Sequence, residues 1–280
     1  MLSIASSFSG PLQCGNDQIW HSEQSTAVSY PTEGHTDCFA VEDGSYWFAH
    51  RNRVITQLLD RHAIDGPFLD VGGGNGVVSA AIARTGRCTV MLEPGIAGAR
   101  NAKARGLPHV ICATLKQAAP IAGVFRAVGL FDVIEHVQDD VALLRETRSL
   151  LPAGGHLLVT VPALPTLWSD EDVYAGHYRR YTLSECANRI QAAGFRIDFA
   201  SYFFAPLVLP VLIARRMRSA LARRNTQALH ETAVKQLQPD AFTNRLIRAL
   251  LAAEYNMLSH ARVPIGTSCA IVATADEVAA

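Results

Sequence analysis

The sequence has few charged residues and no excess of either sign. Only 18% of its 280 residues are charged, and 25 basic side chains balance 25 acidic ones. A protein that binds nucleic acid through phosphates needs a basic surface to displace counterions. We therefore expect no general nucleic-acid binding, although a local basic patch stays compatible with it. Hydrophobic residues make up 49% of the chain, which is enough to build a sizeable core.

Three other features are missing. The six cysteines include no C-x-x-C pair, which predicts reduced thiols in a cytosolic protein. The first ten residues carry no basic stretch and no long apolar run, so we expect no secretory signal. The longest strongly apolar stretch, 203–214, is shorter than the roughly 20 residues that span a bilayer. These absences together predict a cytoplasmic location.

The chain does have a regular alternation of short apolar runs and helical periodicity. The apolar runs that predict strands are 68–71, 88–92, 110–112, 127–134, 156–161, 195–202 and 270–273. The segments with helical spacing are 46–62, 77–84, 97–104, 139–151 and 183–193. Such alternation is typical of a parallel sheet with helices on both faces. We predict an α/β, doubly wound, Rossmann-like fold with a mostly parallel, seven-stranded sheet.

The same patterns divide the chain into four parts. Residues 1–45 lack periodicity and predict an irregular N-terminal arm, and residues 46–202 form the predicted core. Within 203–260 two helical stretches, 205–224 and 241–259, flank a polar linker and predict a helical cap. The remainder, 261–280, predicts a closing strand and a tail.

A glycine-rich loop follows the first core strand. Its sequence, Gly72-Gly73-Gly74-Asn75-Gly76, has the spacing G-x-G-x-G, whereas a dinucleotide site has G-x-G-x-x-G and position 77 here is valine. Asp70, two residues before the loop, would repel a pyrophosphate and attract an ammonium group. Glu93 follows Gly72 by 21 residues, where a carboxylate accepts bonds from ribose hydroxyls.

These features favour S-adenosylmethionine (SAM), which carries an ammonium and a sulfonium group and no phosphate. We predict that Asp70, the loop residues 72–75 and Glu93 bind SAM, because ligands of such sheets lie beyond the carboxyl ends of the strands. Nicotinamide or flavin binding is the alternative interpretation.

Segment 68–200 resembles the class I SAM-dependent methyltransferases, in the broad group that contains the ubiquinone-biosynthesis enzymes. The resemblance implies that Asp70, Gly72 and Gly74 hold the methionine end of SAM and that Glu93 holds the ribose. The string F-D-V-I-E-H-V at 131–137 resembles the family motif beside the sulfonium.

That motif adds Asp132 and Glu135 to the predicted cofactor-binding residues. The string L-P-A-G-G at 151–155 resembles the family's turn into its fifth strand. The chain departs from many members by lacking an acid after the third strand, so backbone groups and apolar packing at 112–115 are the expected contacts to adenine.

Two histidines are the candidate catalytic side chains. Methyl transfer to a hydroxyl needs alignment and removal of a proton, which a nearby base supplies. His177 is the candidate base, with Asp172 orienting it, and His136 is a candidate residue of the cofactor or substrate pocket. The alternative is that these side chains serve only packing and helix capping.

Aromatic and basic side chains surround His177 in the sequence. The candidate substrate-binding residues are Trp168, Tyr178, Arg179 and Arg180, since arginine can clamp an anionic group through two hydrogen bonds. Pairing of the two arginines with surface acids is the alternative.

We predict no bound metal. The D-x-x-E-H string at 132–136 could hold a divalent cation, but the same string is common in relatives without one. Cys14, His21, His35 and Cys38 fit no standard zinc-finger spacing.

The sequence thus predicts a SAM-dependent methyltransferase acting on a small-molecule or a glycan- or lipid-linked acceptor, at oxygen. An apolar run that ends in an arginine cluster suggests a peripheral membrane contact through 203–224, and a lid packed on the core is the alternative. An RNA methyltransferase that uses the arginines at 215–224, and a SAM-binding protein without catalysis, are the rival functions.

Overall fold

The computed structural model describes residues 6–23, 38–221 and 241–276. Its strands are β1 Leu12–Cys14, β2 Trp20–Ser22, β3 Phe68–Val71, β4 Thr89–Leu92, β5 Val110–Cys112, β6 Ala127–Phe131, β7 His156–Pro162, β8 Phe195–Phe203 and β9 Ser268–Ala275. Its helices are α1 Tyr46–Arg61, α2 Val77–Ala83, α3 Ile96–Ala104, α4 Leu115–Ala118, α5 Asp140–Leu150, α6 Asp170–Tyr174, α7 Leu183–Ala192, α8 Val208–Leu221 and α9 Ala241–Leu258.

The strands form one largely parallel sheet in the order β1-β2-β5-β4-β3-β6-β7-β9-β8. Strand β9 runs antiparallel to both of its neighbours, β7 and β8, and β3 to β7 are parallel to one another. The central strands β3, β4 and β6 are buried at every residue, because helices cover both faces. The predicted doubly wound α/β fold is confirmed.

The sheet has nine strands, so the predicted count of seven was too low. The additional pair, β1 and β2, forms a hairpin in the N-terminal region and joins the sheet where Trp20 pairs with Ile111. Each strand has three residues, too few to show an alternating pattern in the sequence. Ile19, which is fully buried, anchors the hairpin in the core.

Strand β6 ends three residues before the predicted end. The backbone of Asp132 adopts a left-handed conformation, with φ of +57°, and a short 3-10 helix follows at Ile134–His136. The Asp132 N–H still donates to the Thr160 carbonyl of β7, at 2.9 Å. The turn therefore carries the side chains of 132–136 to the carboxyl end of the sheet, where ligands bind in this architecture.

The predicted helical cap packs against α1 through one buried carboxylate. Glu254 of α9, only 3% exposed, accepts a hydrogen bond from His50 Nε2 at 2.7 Å. It also accepts from the backbone N–H groups of Phe204 and Ala205, at 2.8 and 2.6 Å. Because three donors share this carboxylate, α9, α1 and the start of the cap form one packed unit.

None of the described helices is long and apolar enough to cross a membrane. The cytoplasmic location stays a prediction. The arginines at 223 and 224 lie outside the described residues, as does His35.

Candidate active site

A cavity of about 730 Å³ opens at the carboxyl ends of the central strands. Strand ends and the loops after them contribute Asp70, Glu93, Asp132 and Pro162 to its lining. The cap contributes Leu207 and Val211, among others. The predicted cofactor-binding residues of the glycine loop and of the 132–136 turn thus line the same cavity, together with part of the cap.

Gly74 and Gly76 of the glycine loop both have a positive φ, but they differ in how close other residues lie. Gly76 begins α2 with φ of +77°, and a Cβ there would come within 2.7 Å of side chains of Ala102 and Leu107. Gly74 also has a positive φ, +55°, yet no described atom lies within 4 Å of where its Cβ would be. Glycine is therefore required at position 76 because α2 packs closely against α3 there. At position 74 the space that a side chain would fill is open and belongs to the cavity.

Asp70 lies fully buried at the base of the cavity. The Ser79 hydroxyl donates to its Oδ2 at 2.5 Å, and Oδ1 has no hydrogen-bond partner within the described ranges. Burial raises the pKa of Asp70 to about 6. An unpaired carboxylate oxygen in a buried position is unfavourable unless a ligand satisfies it. This oxygen fits the ammonium group of SAM.

The Glu93 side chain faces the glycine loop. Its Oε2 accepts the Gly74 N–H at 2.8 Å, and its Oε1 accepts the Gly95 N–H at 2.7 Å. Burial raises the pKa of Glu93 to about 7. Each oxygen keeps one lone pair after these bonds, so the carboxylate can still accept from two ribose hydroxyls.

The Asn75 side chain is part of the cavity wall, where it hydrogen-bonds to two neighbouring side chains. Its Nδ2 donates to Glu42 at 3.1 Å, and its Oδ1 accepts from Asn101 at 2.9 Å. Glu42 lies in a helical turn at 38–42 and forms an ion pair with Arg105, at 2.7 Å. Asn75 therefore attaches the segment before α1 to the glycine loop. No pattern in the sequence indicated Glu42, because the turn has too few residues to show periodicity.

Arg51 of α1 lines the cavity and contacts the turn after β6. Its guanidinium stacks on the Trp47 ring, 4.7 Å from the ring centre, and its Nη1 donates to Asp132 Oδ2 at 2.5 Å. Its Nε is buried and has no partner in the part of the chain that the structure describes. The sequence around Arg51 gave no sign that this side chain meets Asp132, which lies 81 positions away.

Glu135 lies fully buried in the lining, and its carboxylate is unusual. Neither oxygen has a hydrogen-bond partner among the described residues. Burial, with the nearby charge of Asp132, holds the pKa of Glu135 well above its ordinary value. Beside it, burial and the neighbouring His177 lower the pKa of His136 to about 4, so its imidazole is neutral at physiological pH.

His177 lies against His136, with ring centres 4.7 Å apart and the rings nearly perpendicular. Its Nδ1 is 2.9 Å from Oδ1 of Asp172, which is buried behind it. Arg180 donates to the same carboxylate oxygen at 2.7 Å. The structure therefore assembles the predicted His177–Asp172 pair and leaves Nε2 as the ring nitrogen available to the cavity.

Three of the four predicted substrate-binding side chains do not line the cavity. Trp168 and Tyr178 are 41% and 55% exposed, and neither belongs to the lining. Arg179 forms an ion pair with Asp140 at 2.8 Å and donates to the Gln138 carbonyl at 2.7 Å. Only Arg180 of the four lines the cavity.

A second arginine reaches this region from the cap. Arg215 of α8 lines the cavity and lies 3.5 Å from Glu171 and 3.7 Å from Asp172. The sequence placed it in a basic cluster and gave no sign that it faces inward. Its position ties the cap to the loop that carries His177.

Comparisons with known proteins agree with this geometry. Residues 46–198 match the family described as a methyltransferase domain, Methyltransf_23. A protein of Mycolicibacterium smegmatis named "Probable S-adenosylmethionine-dependent methyltransferase" is 27% identical over 205 residues, covering 71% of this chain and 78% of that one. A ubiquinone biosynthesis O-methyltransferase of Parvibaculum lavamentivorans is 29% identical over 36% of this chain, and the match spans 44% of that enzyme.

The fold is shared with solved structures as well. Phosphoethanolamine N-methyltransferase 2 of Haemonchus contortus, solved with SAM, superposes with a TM-score of 0.56 at 14% identity, covering 89% of this chain and 58% of that one. The chain belongs to the methyltransferase-domain family. It is a SAM-dependent methyltransferase, and SAM is its cofactor.

Proposed function

We propose that this methyltransferase transfers the methyl group to a hydroxyl oxygen of a small-molecule or a glycan- or lipid-linked acceptor. The observation that carries the proposal is the His177–Asp172 pair, 2.9 Å apart, in the wall of the cavity that also contains Asp70 and Glu93. A hydroxyl acceptor needs a group that takes its proton, and this pair is built for that task.

The cofactor half of the cavity uses carboxylates at two strand ends. Asp70 Oδ1 would accept from the ammonium group, and Glu93 would accept from the ribose hydroxyls. Gly72, Gly73 and Gly74 allow the ligand to approach the backbone closely. When bound, SAM supplies a methyl group on a positively charged sulfur, so the protein has only to align the acceptor and remove its proton.

The catalytic half of the cavity centres on His177. Asp172 accepts from Nδ1, which fixes the tautomer and leaves the lone pair of Nε2 for the acceptor. As the acceptor oxygen takes the methyl group, its proton passes to Nε2 of His177. His136, neutral beside it, restricts where the acceptor can lie, and Arg180 holds Asp172 in place through its 2.7 Å bond.

The character of the acceptor follows from the rest of the lining. Phe131, Leu207 and Val211 present apolar surface beside the polar cluster, and exposed apolar surface predominates in the cavity. This composition suits an acceptor with a hydroxylated head and an apolar body. The similarity to O-methyltransferases of ubiquinone biosynthesis supports transfer to oxygen.

Labelled SAM and a panel of hydroxyl acceptors test the proposal. The panel contains catechols, polyprenylated phenols and lipid-linked glycans, and mass spectrometry identifies the methylated atom. We expect His177→Ala to lower kcat about 100- to 10,000-fold with SAM affinity retained. The control is His21→Ala, since His21 also lies beside a carboxylate, Asp17 at 3.1 Å, but outside the cavity lining.

Four results contradict the proposal. Methylation at nitrogen or carbon only would exclude the O-transfer step. An unchanged kcat in His177→Ala would remove the assigned base. SAM binding without turnover on any acceptor class, or steeply salt-dependent binding to RNA, would favour one of the two rival functions.

A further inference from the structure

The cap helix α8 has apolar residues on two opposite sides. Leu207, in the turn before it, lines the cavity together with Val211 and Arg215 of the helix. Leu209 and Ile213 each lie two residues from Val211, which is just over half a helical turn, and they are 63% and 49% exposed. The outer side of a surface helix normally carries polar residues, so a second apolar side indicates a further contact.

The short helix α6 beside α8 has the same arrangement. Its Glu171 lines the cavity and lies 3.5 Å from Arg215 of α8, which joins the two helices. Val173 and Tyr174, two and three residues further along, are both exposed. Trp168 precedes α6 and is also exposed, and α8 packs against the 3-10 turn that ends just before this tryptophan. Two neighbouring elements of the cavity wall are therefore apolar on their outer side.

We call these five exposed side chains the outer cap face: Trp168, Val173, Tyr174, Leu209 and Ile213. A group of large exposed apolar side chains on neighbouring elements marks a contact surface. Tryptophan and tyrosine are common where a protein meets the boundary between lipid headgroups and acyl chains, because each ring is apolar and carries one polar group. The composition of the outer cap face fits that boundary.

The charge of α8 favours an anionic partner. Its 14 residues, VLPVLIARRMRSAL, include three arginines and no acid. The arginines follow the apolar part, a composition that suits a helix lying in the surface of an anionic membrane. The helix is shorter than the roughly 20 residues that span a bilayer. A second copy of the chain fits less well, because in a two-fold dimer the same basic helix would meet itself.

We propose that the outer cap face binds the surface of a bilayer that contains anionic lipids. In this arrangement α8 lies along the membrane plane, and Leu209 and Ile213 insert between the headgroups. The membrane contact and the lid that the sequence suggests for 203–224 are compatible, because α8 has a separate face for each. Leu207 and Val211 cover the cavity, while the opposite side meets lipid.

The proposal goes beyond the proposed function, and only its consequence for the acceptor rests on that function. The elements that carry the outer cap face also line the catalytic half of the cavity, so the bilayer would lie beside that half. The apolar body of a lipid-linked acceptor would then stay in the bilayer while its hydroxyl reaches His177. Binding to the membrane itself needs neither acceptor nor SAM and is tested without them.

Sedimentation of the full chain with lipid vesicles tests the proposal. Vesicles of phosphatidylcholine and phosphatidylglycerol in equal amounts are compared with vesicles of phosphatidylcholine alone. We expect the wild type to bind the mixed vesicles at least about tenfold more tightly, and added salt to weaken this binding. Arg216→Gln should reduce the preference for mixed vesicles about fivefold, because it removes one positive charge from α8.

Substitution of an exposed isoleucine tests the apolar contribution. Ile213→Gln should weaken binding to mixed vesicles about tenfold or more, because it removes an apolar side chain that the bilayer would bury. The matched control is Ile121→Gln, since Ile121 is similarly exposed but lies in the loop before β6, outside the cavity lining. This control should bind vesicles as the wild type does.

SAM calorimetry separates loss of membrane binding from structural damage. Ile213→Gln should bind SAM as the wild type does, because Ile213 does not line the cavity. If this variant does not fold, Leu209→Gln and Val173→Gln carry the same test.

Three outcomes overturn the proposal. The first is a wild type that does not bind mixed vesicles, and the second is equal binding by Ile213→Gln and Ile121→Gln. The third is a dimer in analytical ultracentrifugation that only Ile213→Gln dissociates, without vesicle binding, since the outer cap face would then join two copies. Absence of O-methylation in the acceptor panel would instead contradict the proposed function and leave the vesicle result standing.

Discussion

Arg51 and Asp132 form an ion pair between α1 and the turn after β6, with Nη1 2.5 Å from Oδ2. The two residues lie 81 positions apart in the sequence, and each depends on local structure for its placement. Asp132 points into the cavity because its backbone is left-handed, and Arg51 is aimed by stacking on Trp47. The pair therefore fixes the position of α1 over the cofactor half of the cavity.

Removal of Arg51 should affect both SAM binding and stability. In Arg51→Met the Asp132 carboxylate loses its cation, and the unpaired guanidinium Nε is no longer available to the carboxylate of SAM. We expect SAM to bind at least about tenfold more weakly and the free energy of unfolding to fall by about 1–3 kcal/mol. Calorimetry and urea unfolding measure the two effects.

A double-mutant cycle with Asp132→Asn checks the pairing. The coupling energy between positions 51 and 132 should lie at about 0.5–3 kcal/mol, since the two side chains are in direct contact. Strictly additive effects of the two substitutions would show that the ion pair contributes nothing in solution.

Glu93 should contribute to SAM affinity through its hydrogen bonds to the ribose. Glu93→Gln keeps the size of the side chain, but its amide nitrogen cannot accept. We expect SAM affinity to fall about 10- to 100-fold, corresponding to the loss of a charge-assisted hydrogen bond. Glu146→Gln on the exposed face of α5 is the matched control and should leave the Kd unchanged. An equal Kd for wild type and Glu93→Gln would place the ribose elsewhere.

The raised pKa values of Asp70 and Glu93 predict a specific pH dependence. The pKa values are about 6 and about 7 in the folded protein, against ordinary values of 3.8 and 4.5. The folded state without SAM thus binds protons more tightly than the unfolded state between about pH 4 and 7. These two groups make the free energy of unfolding fall as the pH rises through that window. SAM prefers the ionised carboxylates, so its Kd should fall over the same rise in pH.

Comparison with Glu93→Gln isolates the Glu93 contribution. The stability of the wild type relative to this variant should decrease by up to about 3 kcal/mol between pH 4.5 and 7, measured by urea unfolding at several pH values. A difference that is flat across this range would mean that Glu93 titrates normally.

Two glycines of the loop should respond differently to the same substitution. A Cβ at Gly76 would lie 2.7 Å from neighbouring side chains at a positive φ, so Gly76→Ala should lower the free energy of unfolding by about 2–4 kcal/mol. Gly74→Ala meets no described atom within 4 Å, so it should cost only about 1–2 kcal/mol for its left-handed backbone.

The binding results should show the opposite order. Gly74 lines the cavity, so the methyl group added in Gly74→Ala should weaken SAM binding. Gly76→Ala should weaken it less, measured on the folded fraction of that variant. Thermal unfolding and calorimetry on the two variants give both comparisons. Equal losses of stability would show that α2 does not need close contact with α3.

Much of the cofactor half was predictable from local sequence. Asp70, Glu93 and the glycine loop are contiguous with the strands that place them, and parallel strands end at a common edge. The apolar runs at 68–71 and 127–131 were visible because both faces of these strands are buried. The three-residue strands β1 and β2 were not visible, because they are too short to carry a period.

The sequence by itself determined the fold class, the cofactor and the carboxylates at the strand ends, since these depend on short-range patterns and on a rule of sheet geometry. Only the tertiary structure decided that Arg51 faces Asp132, that Arg179 turns away to Asp140, and that the buried Glu135 lies beside His177. Such relations depend on which distant segments pack together and on which polar atoms then lack partners. The periodicity of apolar residues shows which face of a helix or strand is buried. It does not show which other segment packs against that face, or which polar atoms are left without partners.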